Sequence, residues 1–143
     1  MKENTQRFPL PSVRAIIRNE KNEILLLKRA AGDNFGGRWC LPGGKVDYGQ
    51  RVEDVVMREV KEETQLVCTE TKFLFYMDGL PSEEFYAHCI ILYFACNVSG
   101  EIKLNEESDE YKWVTINDMA KYDIALGNGE GIRRYWEIVQ EGK

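Results

Sequence analysis

Residues 39–66 read WCLPGGKVDYGQRVEDVVMREVKEETQL, a glycine-containing loop followed by a segment with helical periodicity. The periodicity predicts a helix over residues 52–63. A step of about 100° per residue places four valines on one side, which predicts the packing face of the helix. These are Val52, Val55, Val56 and Val60.

Three glutamates follow the same stripe. Glu59 and Glu63 fall at nearly the angle of the buried valines, and Glu62 falls close to it. Carboxylates near a packing face lose solvation and raise one another's pKa, whereas a divalent cation offsets both effects. Mg²⁺ favours such oxygen ligands. The alternative is a frayed helix end with solvated glutamates.

The loop before the helix contains Pro42-Gly43-Gly44 and Gly49. Glycine allows close approach of a ligand to the backbone and also adopts positive φ. The loop is therefore a candidate ligand site, although most Gly-Gly turns only connect elements.

Loop and helix together resemble the signature of the Nudix hydrolase family, G-x5-E-x7-R-E-U-x-E-E-x-G-U, where U is a bulky aliphatic residue. Here the spacing is kept from Gly44 to Leu66, and the core Arg58-Glu59-Val60-Lys61-Glu62-Glu63 is intact. Two positions depart from the signature. Gln50 replaces the first glutamate and carries no charge. Gln65 replaces the glycine that ends the helix, which costs on the order of 1 kcal/mol if that position needs positive φ.

The resemblance implies an α/β/α sandwich with a mixed sheet between helices, formed by one domain over residues 1–143. It also implies metal-assisted substitution at phosphorus. In that scheme Glu59 and Glu63 bind Mg²⁺, or Mn²⁺, most directly. Glu62 is a third ligand or a partner through water, and Arg58 orients a glutamate.

The resemblance implies a further acid in a loop after the helix, which acts as base or metal ligand. Glu107 is the first candidate and Glu110 the second, both shortly before Trp113. The alternative reading of this run is a solvated acidic loop.

The candidate substrate-binding residues lie around the glycine turn and at the end of a predicted strand. They are Gly43, Gly44, Lys28, Arg29 and Trp39. A basic side chain can hold a phosphate and an aromatic ring can stack on a base. A solvated strand end and core packing are the respective alternatives. Residues 30–38 and 124–131 are the expected substrate-reading loops.

Composition excludes several classes of function. A chain of 143 residues with net charge −5 and no basic arm argues against binding to long nucleic acid. The four cysteines form no CxxC pair and the only histidine is His88, so a zinc site is not expected. Reduced thiols favour the cytoplasm. The longest apolar run, residues 89–96, is too short to span a membrane.

The remaining pattern predicts a mixed α and β chain. Strands are expected at 13–18 and 23–28, joined as a hairpin, and then at 39–41, 73–78, 85–98 and 111–116. Asn117 is expected to cap a short helix that ends near Tyr122. A last helix at 130–140 presents an apolar stripe of Ile132, Tyr135, Trp136 and Val139 for core packing.

Two functional hypotheses follow. The first is a hydrolase that cleaves a diphosphate linkage in a small nucleotide-like substrate, such as an oxidised NTP, ADP-ribose or a sugar nucleotide. The second is a binding or regulatory module without turnover, which Gln50 and Gln65 would permit. Another diphosphate reaction, such as isomerisation, is a third. The resemblance is compatible with a homodimer, although no residue pattern demands one.

Overall fold

The computed structural model describes residues 8–32, 35–83, 86–125 and 127–142. It contains seven strands, a short 3₁₀ helix and two α-helices in this part of the chain, which agrees with the expected mixed α and β class. The elements are β1 (Leu10–Ile16), β2 (Glu23–Arg29), β3 (Trp39–Cys40), β4 (Gly43–Lys45), α1 (Val52–Thr64), β5 (Val67–Gly79), β6 (Cys89–Ser99), β7 (Ser108–Thr115), the 3₁₀ helix (Ile116–Lys121) and α2 (Asn128–Glu141).

The strands form two sheets that meet at the first hairpin. One sheet has the order β4-β1-β6-β5, with β1 parallel to β6 and the other pairs antiparallel. The other has the antiparallel order β3-β2-β7. At the turn the two sheets are joined, because the backbone N–H of Leu25 donates to the carbonyl of Ile17 at 3.0 Å. The expected hairpin is thus confirmed, and its arms then enter different sheets.

The sheets form the middle layer of the expected α/β/α sandwich. Alternate residues of β1 and β2 enter two separate apolar cores, with Ile16 and Leu26 on one face and Ala15 and Leu25 on the other. Strands buried on both faces need continuous apolar runs, which is what both sequences provide. Helix α1 packs into the core that contains Ala15 and Leu25, and α2 packs into the core that contains Ile16 and Leu26.

Both α-helices pack through the stripes expected from their periodicity. Val55, Val56 and Val60 of α1 are buried. In α2, the stripe that begins at Ile132 packs in the core, which confirms its structural interpretation. The contact between α2 and β6 requires Gly131, because a Cβ at this position would overlap the ring of Tyr93.

Several boundaries differ from the expected ones. Strand β5 begins at Val67, six residues before the predicted start, and its first half is a polar sheet edge that carries no apolar signal. Residues 43–45 form β4 instead of only a turn, since Gly43 pairs with Arg14. The predicted strand 85–98 begins at Cys89, and position 85 lies outside the described residues.

The cap expected at Asn117 is wrong. The 3₁₀ helix begins at Ile116, and the Thr115 hydroxyl accepts a hydrogen bond from the backbone N–H of Asp118 at 3.3 Å. Thr115 is at the end of β7 and has the extended backbone that a capping residue needs. Within the described residues, neither α-helix is long and apolar enough to cross a bilayer.

Gln65 stands where the Nudix signature has glycine, and it adopts the left-handed backbone conformation, with φ 66° and ψ 2°. Its side-chain amide donates to the carbonyl of Lys61 at 3.2 Å, which partly offsets the strain. We therefore expect Gln65→Gly to raise the free energy of unfolding by about 0.5–1 kcal/mol in urea denaturation. Gln65→Ala is the matched control, since it keeps the Cβ and removes the hydrogen bond. A gain in stability for both variants would contradict the strain argument.

Candidate active site

The second half of α1 places two carboxyl groups against each other. The Glu63 side chain is only 6% exposed, and that of Glu59 is 15% exposed. Burial raises the pKa of Glu63 well above the ordinary carboxyl range, and the Glu59 and Glu107 charges raise it further, while Arg14 opposes the shift. In its protonated form the Glu63 carboxyl donates a hydrogen bond to Glu59. The expected burial of these two acids is therefore confirmed.

Glu62 does not follow the buried stripe. Its side chain is 54% exposed and lies 3.7 Å from Nε of Arg58, a residue one helical turn earlier. The guanidinium of Arg58 also donates to Glu59 through Nη2 at 3.0 Å. Arg58 therefore holds a glutamate in place, as the sequence implied. Glu62 is drawn away from the valines because its long side chain reaches this cation and solvent.

The glycine turn closes over the Glu59 carboxylate. A Cβ placed on Gly44 would lie 2.5 Å from Oε1 of Glu59. The neighbouring Gly43 faces the other way, because a Cβ there would overlap the carbonyl oxygen of Val13 and approach Nη1 of Arg14 at 2.7 Å. The two glycines thus allow both the strand pairing of β4 and the close approach of an acid to the backbone.

A cleft of about 540 Å³ opens beside this carboxyl pair. Its lining combines charged residues, mostly from β1, β2, β4 and α1, with apolar residues that include those of β5 and β6. The charged lining residues are Arg14, Arg29, Arg38, Lys45, Glu59, Asp78 and Glu107, and the apolar ones include Met77, Leu80, Ile91 and Ile124. A wider groove of about 780 Å³ lies at the first hairpin, but it contains none of the predicted site residues.

The cleft contains some of the sequence-predicted residues and leaves others outside. Arg29, Gly43, Gly44 and Glu107 line it together with Glu59. The Glu107 side chain accepts from the amide of Asn105 at 3.2 Å, and its backbone carbonyl accepts from the N–H of Ala30 at 3.0 Å. The loop that carries Glu107 is therefore fixed against the end of β2.

Arg58, Glu62 and Glu63 are not among the residues that line the cleft, and Trp39, Lys28 and Glu110 lie outside the lining as well. Trp39 is 8% exposed and packs edge-on against Tyr122 in the core. Lys28 pairs in the sheet with Trp39 and Glu110, on the far side of a bulge that separates it from Arg29. Successive side chains of a strand point to opposite faces, so only one of these two adjacent basic residues faces the cleft. Of the two candidate acids, Glu107 and not Glu110 is at the cleft.

Several cleft residues could not be identified from the sequence. Arg14 and Ser12 lie on β1, where alternating positions of a strand gave no reason to select them. The segment from Met77 to Ser82 also contributes to the lining. The loops expected to read the substrate supply Phe35, Arg38, Ile124 and Gly127, while positions 33, 34 and 126 lie outside the described residues.

Gln50 does not occupy a charged position in the site. Its side-chain oxygen accepts a hydrogen bond from the backbone N–H of Asp47 at 3.0 Å, which closes the turn before α1. A negative charge near Arg58 comes instead from Asp47, which is one of the charges that raise the Arg58 pKa after the hydrogen bond to Glu59.

The residues of the cleft fit a divalent cation. A buried carboxyl with a raised pKa beside a second carboxyl is a candidate for cation binding, because a cation offsets both burial of the charge and repulsion between the two groups. All the donors are oxygens, and Mg²⁺ is often held by one or two carboxylates while waters and substrate phosphates complete its shell. Among the described residues, no three acidic, histidine or cysteine side chains are already gathered closely enough to hold a metal. Glu59 and Glu63 are therefore the candidate protein ligands for such a cation.

Comparison with known proteins gives a consistent family. The NUDIX domain family matches residues 9–135. The nucleoside triphosphatase NudI of Escherichia coli strain SE11 is 38% identical over 122 residues, which cover 76% of this chain and 84% of that protein. The crystal structure of a MutT protein from Methanosarcina mazei Go1 is similar at a TM-score of 0.82 and 29% identity, over 98% of this chain and 99% of that one. The NUDIX domain of Shewanella oneidensis NrtR, solved with ADP-ribose, shares the fold at a TM-score of 0.77 and 20% identity, over 96% of this chain and 94% of that one.

Proposed function

Because the chain belongs to the NUDIX domain family and is a pyrophosphohydrolase, we propose that it hydrolyses nucleoside triphosphates at a diphosphate linkage with the help of Mg²⁺. Mn²⁺ is an alternative metal. The relative named a nucleoside triphosphatase supports the substrate class, because its similarity covers most of both chains.

The observation that carries this proposal is the carboxyl pair of Glu59 and Glu63 beside a locally basic cleft. The chain has net charge −5, yet four basic and three acidic side chains line the cleft among the described residues. Such a distribution attracts a polyanion to one place on an otherwise acidic surface. A protein that only needed a packed helix would not bury two adjacent carboxyls.

The carboxyl pair and the residues that line the cleft have different roles in the proposed reaction. Glu59 and Glu63 hold the metal, which when bound neutralises the diphosphate, polarises phosphorus and supplies activated water. Arg58 fixes Glu59 through its 3.0 Å hydrogen bond. Glu107 faces the same space and is the proposed base or additional ligand, whereas Glu62 acts through its contact with Arg58 or through water. The apolar lining residues, which include Leu80 and Ile124, contact the nucleoside in this proposal.

The binding-module alternative loses its main support from the placement of Gln50. This residue closes a turn and leaves Glu59 and Glu63 intact. The proposed enzyme consists of one domain in the cytoplasm, where the four free cysteines stay reduced.

A turnover screen tests the proposal. Purified protein is incubated with Mg²⁺ and then Mn²⁺ against canonical and oxidised NTPs, ADP-ribose, sugar nucleotides and dinucleoside polyphosphates, and phosphate and pyrophosphate are measured. We expect release from nucleoside triphosphates that EDTA abolishes. Turnover of ADP-ribose alone would refute the substrate class. Turnover unaffected by EDTA would refute the metal assignment.

A further inference from the structure

Arg14 is a charged residue of the cleft lining with a buried donor that no protein group of the described segments satisfies. Its Nε is buried and has no hydrogen-bond partner among the described residues. A buried donor without an acceptor is destabilising, and a guanidinium is more costly to leave unmatched than a neutral group. The structure therefore maintains an unsatisfied cationic donor at the edge of its cleft.

The position of Arg14 is fixed by three strands. Strand β1 lies between β4 and β6, and Arg14 is directly opposite Gly43 on one side and Tyr93 on the other. The side chain crosses Gly43, since a Cβ there would lie 3.0 Å from Cδ and 2.7 Å from Nη1 of Arg14. The absence of a side chain at Gly43 therefore gives the guanidinium room beside the turn that closes over Glu59.

The other cleft arginines already have partners. Arg38 donates from Nε to Asp123 at 3.1 Å, and Arg29 lies with Nη1 at 3.9 Å from Sγ of Cys40. Lys45 is exposed. Of these four residues, only Arg14 has a buried side-chain nitrogen, Nε, without a hydrogen-bond partner in the described part of the chain. A planar guanidinium fits two oxygens of one phosphate, which a lysine cannot match.

We propose that Arg14 is an anion-binding residue that receives a phosphate group of the substrate, beside the carboxyls proposed to bind the metal. Its assignment to the substrate's phosphate chain rests on the proposed function, whereas anion binding itself is independent of turnover. The same contact holds pyrophosphate after cleavage. Arg14 therefore determines affinity for molecules with a free phosphate end.

Arg14 also interacts electrostatically with Glu63, and this effect differs from anion binding. The Arg14 charge also opposes the rise in the pKa of Glu63, so Arg14 is within electrostatic range of the carboxyl pair. If Arg14 acted only as a charge partner of Glu63, its removal would change Mg²⁺ affinity and leave anion binding unaltered. A measurement of anion binding without metal distinguishes the two.

The test uses inorganic pyrophosphate, titrated calorimetrically into the full-length protein in EDTA. Arg14→Met keeps the stem and removes the charge, Arg14→Lys keeps the charge and removes the planar fork, and Arg18→Met is the control. Arg18 is exposed on the same hairpin, outside the cleft. We expect pyrophosphate affinity to fall at least tenfold in Arg14→Met and by a smaller factor in Arg14→Lys, while Arg18→Met stays within twofold.

Unfolding curves accompany each titration. Arg14→Met removes an unsatisfied buried donor, so its Tm is expected to equal or exceed that of the unmodified protein. Pyrophosphate binding within twofold of the unmodified protein in Arg14→Met, or no binding by the unmodified protein at millimolar concentration, overturns the inference. A loss of Mg²⁺ affinity alone also overturns it. If pyrophosphate binding depends on Arg14 but no nucleotide is hydrolysed, the proposed function fails and the anion site stands.

Discussion

Replacing Glu63 with glutamine is expected to lower turnover about a thousandfold and, in the absence of metal, to make the protein more stable. A bound metal supplies several kcal/mol of transition-state stabilisation, and about 4 kcal/mol corresponds to a thousandfold in rate. Glutamine keeps the shape of Glu63 but cannot carry the negative charge that holds a cation. The measurement is kcat with Mg²⁺ on the best substrate of the screen.

The gain in stability has a pH dependence with a definite sign. The pKa of Glu63 in the folded protein is raised, mainly by burial and then by Glu59. Ionised Glu63 therefore destabilises the folded state, and this penalty grows as pH rises from the ordinary carboxyl range toward the raised pKa. Glutamine has no such penalty. In EDTA, Glu63→Gln should be more stable than the unmodified protein by about 1–2 kcal/mol at pH 8, with a smaller difference at pH 5.

Glu53→Gln is the matched control, because Glu53 is an exposed glutamate in the first turn of the same helix. It should alter neither kcat nor the response to pH. Adding Mg²⁺ should raise the Tm of the unmodified protein more than that of Glu63→Gln. If Glu63→Gln were less stable than the unmodified protein at pH 8 in EDTA, the expected destabilisation by the buried Glu63 carboxyl would be refuted.

The adjacent glycines at 43 and 44 are expected to respond to alanine in opposite ways. In Gly43→Ala the new methyl group meets backbone, the carbonyl of Val13, which cannot move without breaking the β1–β4 pairing. Overpacking against a fixed strand costs about 3 kcal/mol. The expected result is a fall in Tm of roughly 10 °C for a chain of this size.

In Gly44→Ala the methyl group meets the Glu59 carboxylate, which is the end of a flexible side chain. The carboxylate can rotate away, so the Tm should change by no more than about 2 °C. The displacement moves a proposed metal ligand, and misplacement by about 1 Å can cost a hundredfold in rate. We therefore expect kcat to fall about a hundredfold in a protein that is still folded.

Gly129→Ala separates these effects from a general response to alanine. A Cβ at Gly129 would lie 3.9 Å from its nearest neighbour, Ile124, which is an ordinary contact. Tm and kcat should both stay near those of the unmodified protein. Equal losses of stability in Gly43→Ala and Gly44→Ala would contradict the division of roles between the two glycines.

The sequence identified the parts of the site that depend on local periodicity. Glu59 and Glu63 were found because helical geometry sets them on the line of the buried valines, and helix period is a property of neighbouring residues. The α2 stripe was found in the same way. Glu62 shows the limit of this argument, since its backbone position follows the stripe while its side chain turns to Arg58.

The parts that were missed depend on contacts between distant segments. Arg14 lies in a strand, where a period of two shows only that it faces away from its chain neighbours. Its importance comes from Gly43 and Glu63 on other elements. Arg29 lines the cleft and Lys28 does not, which depends on the face of β2 that the cleft occupies. The convergence of five strands on one cleft has no local sequence signal.

The parallel pairing of β1 with β6 bears on how the newly made chain becomes active. Strand β1 is made early in synthesis, but its partner on one side spans Cys89–Ser99, and the Gly131 contact of α2 comes later still. Pairs so far apart along a chain form slowly. During translation, the apolar strands β1 and β2 therefore each lack one sheet neighbour, β6 and β7 respectively, until those later segments have been made. Exposure of these strands to chaperones or to aggregation is greatest at that stage, and the cleft is completed among the last parts of the molecule.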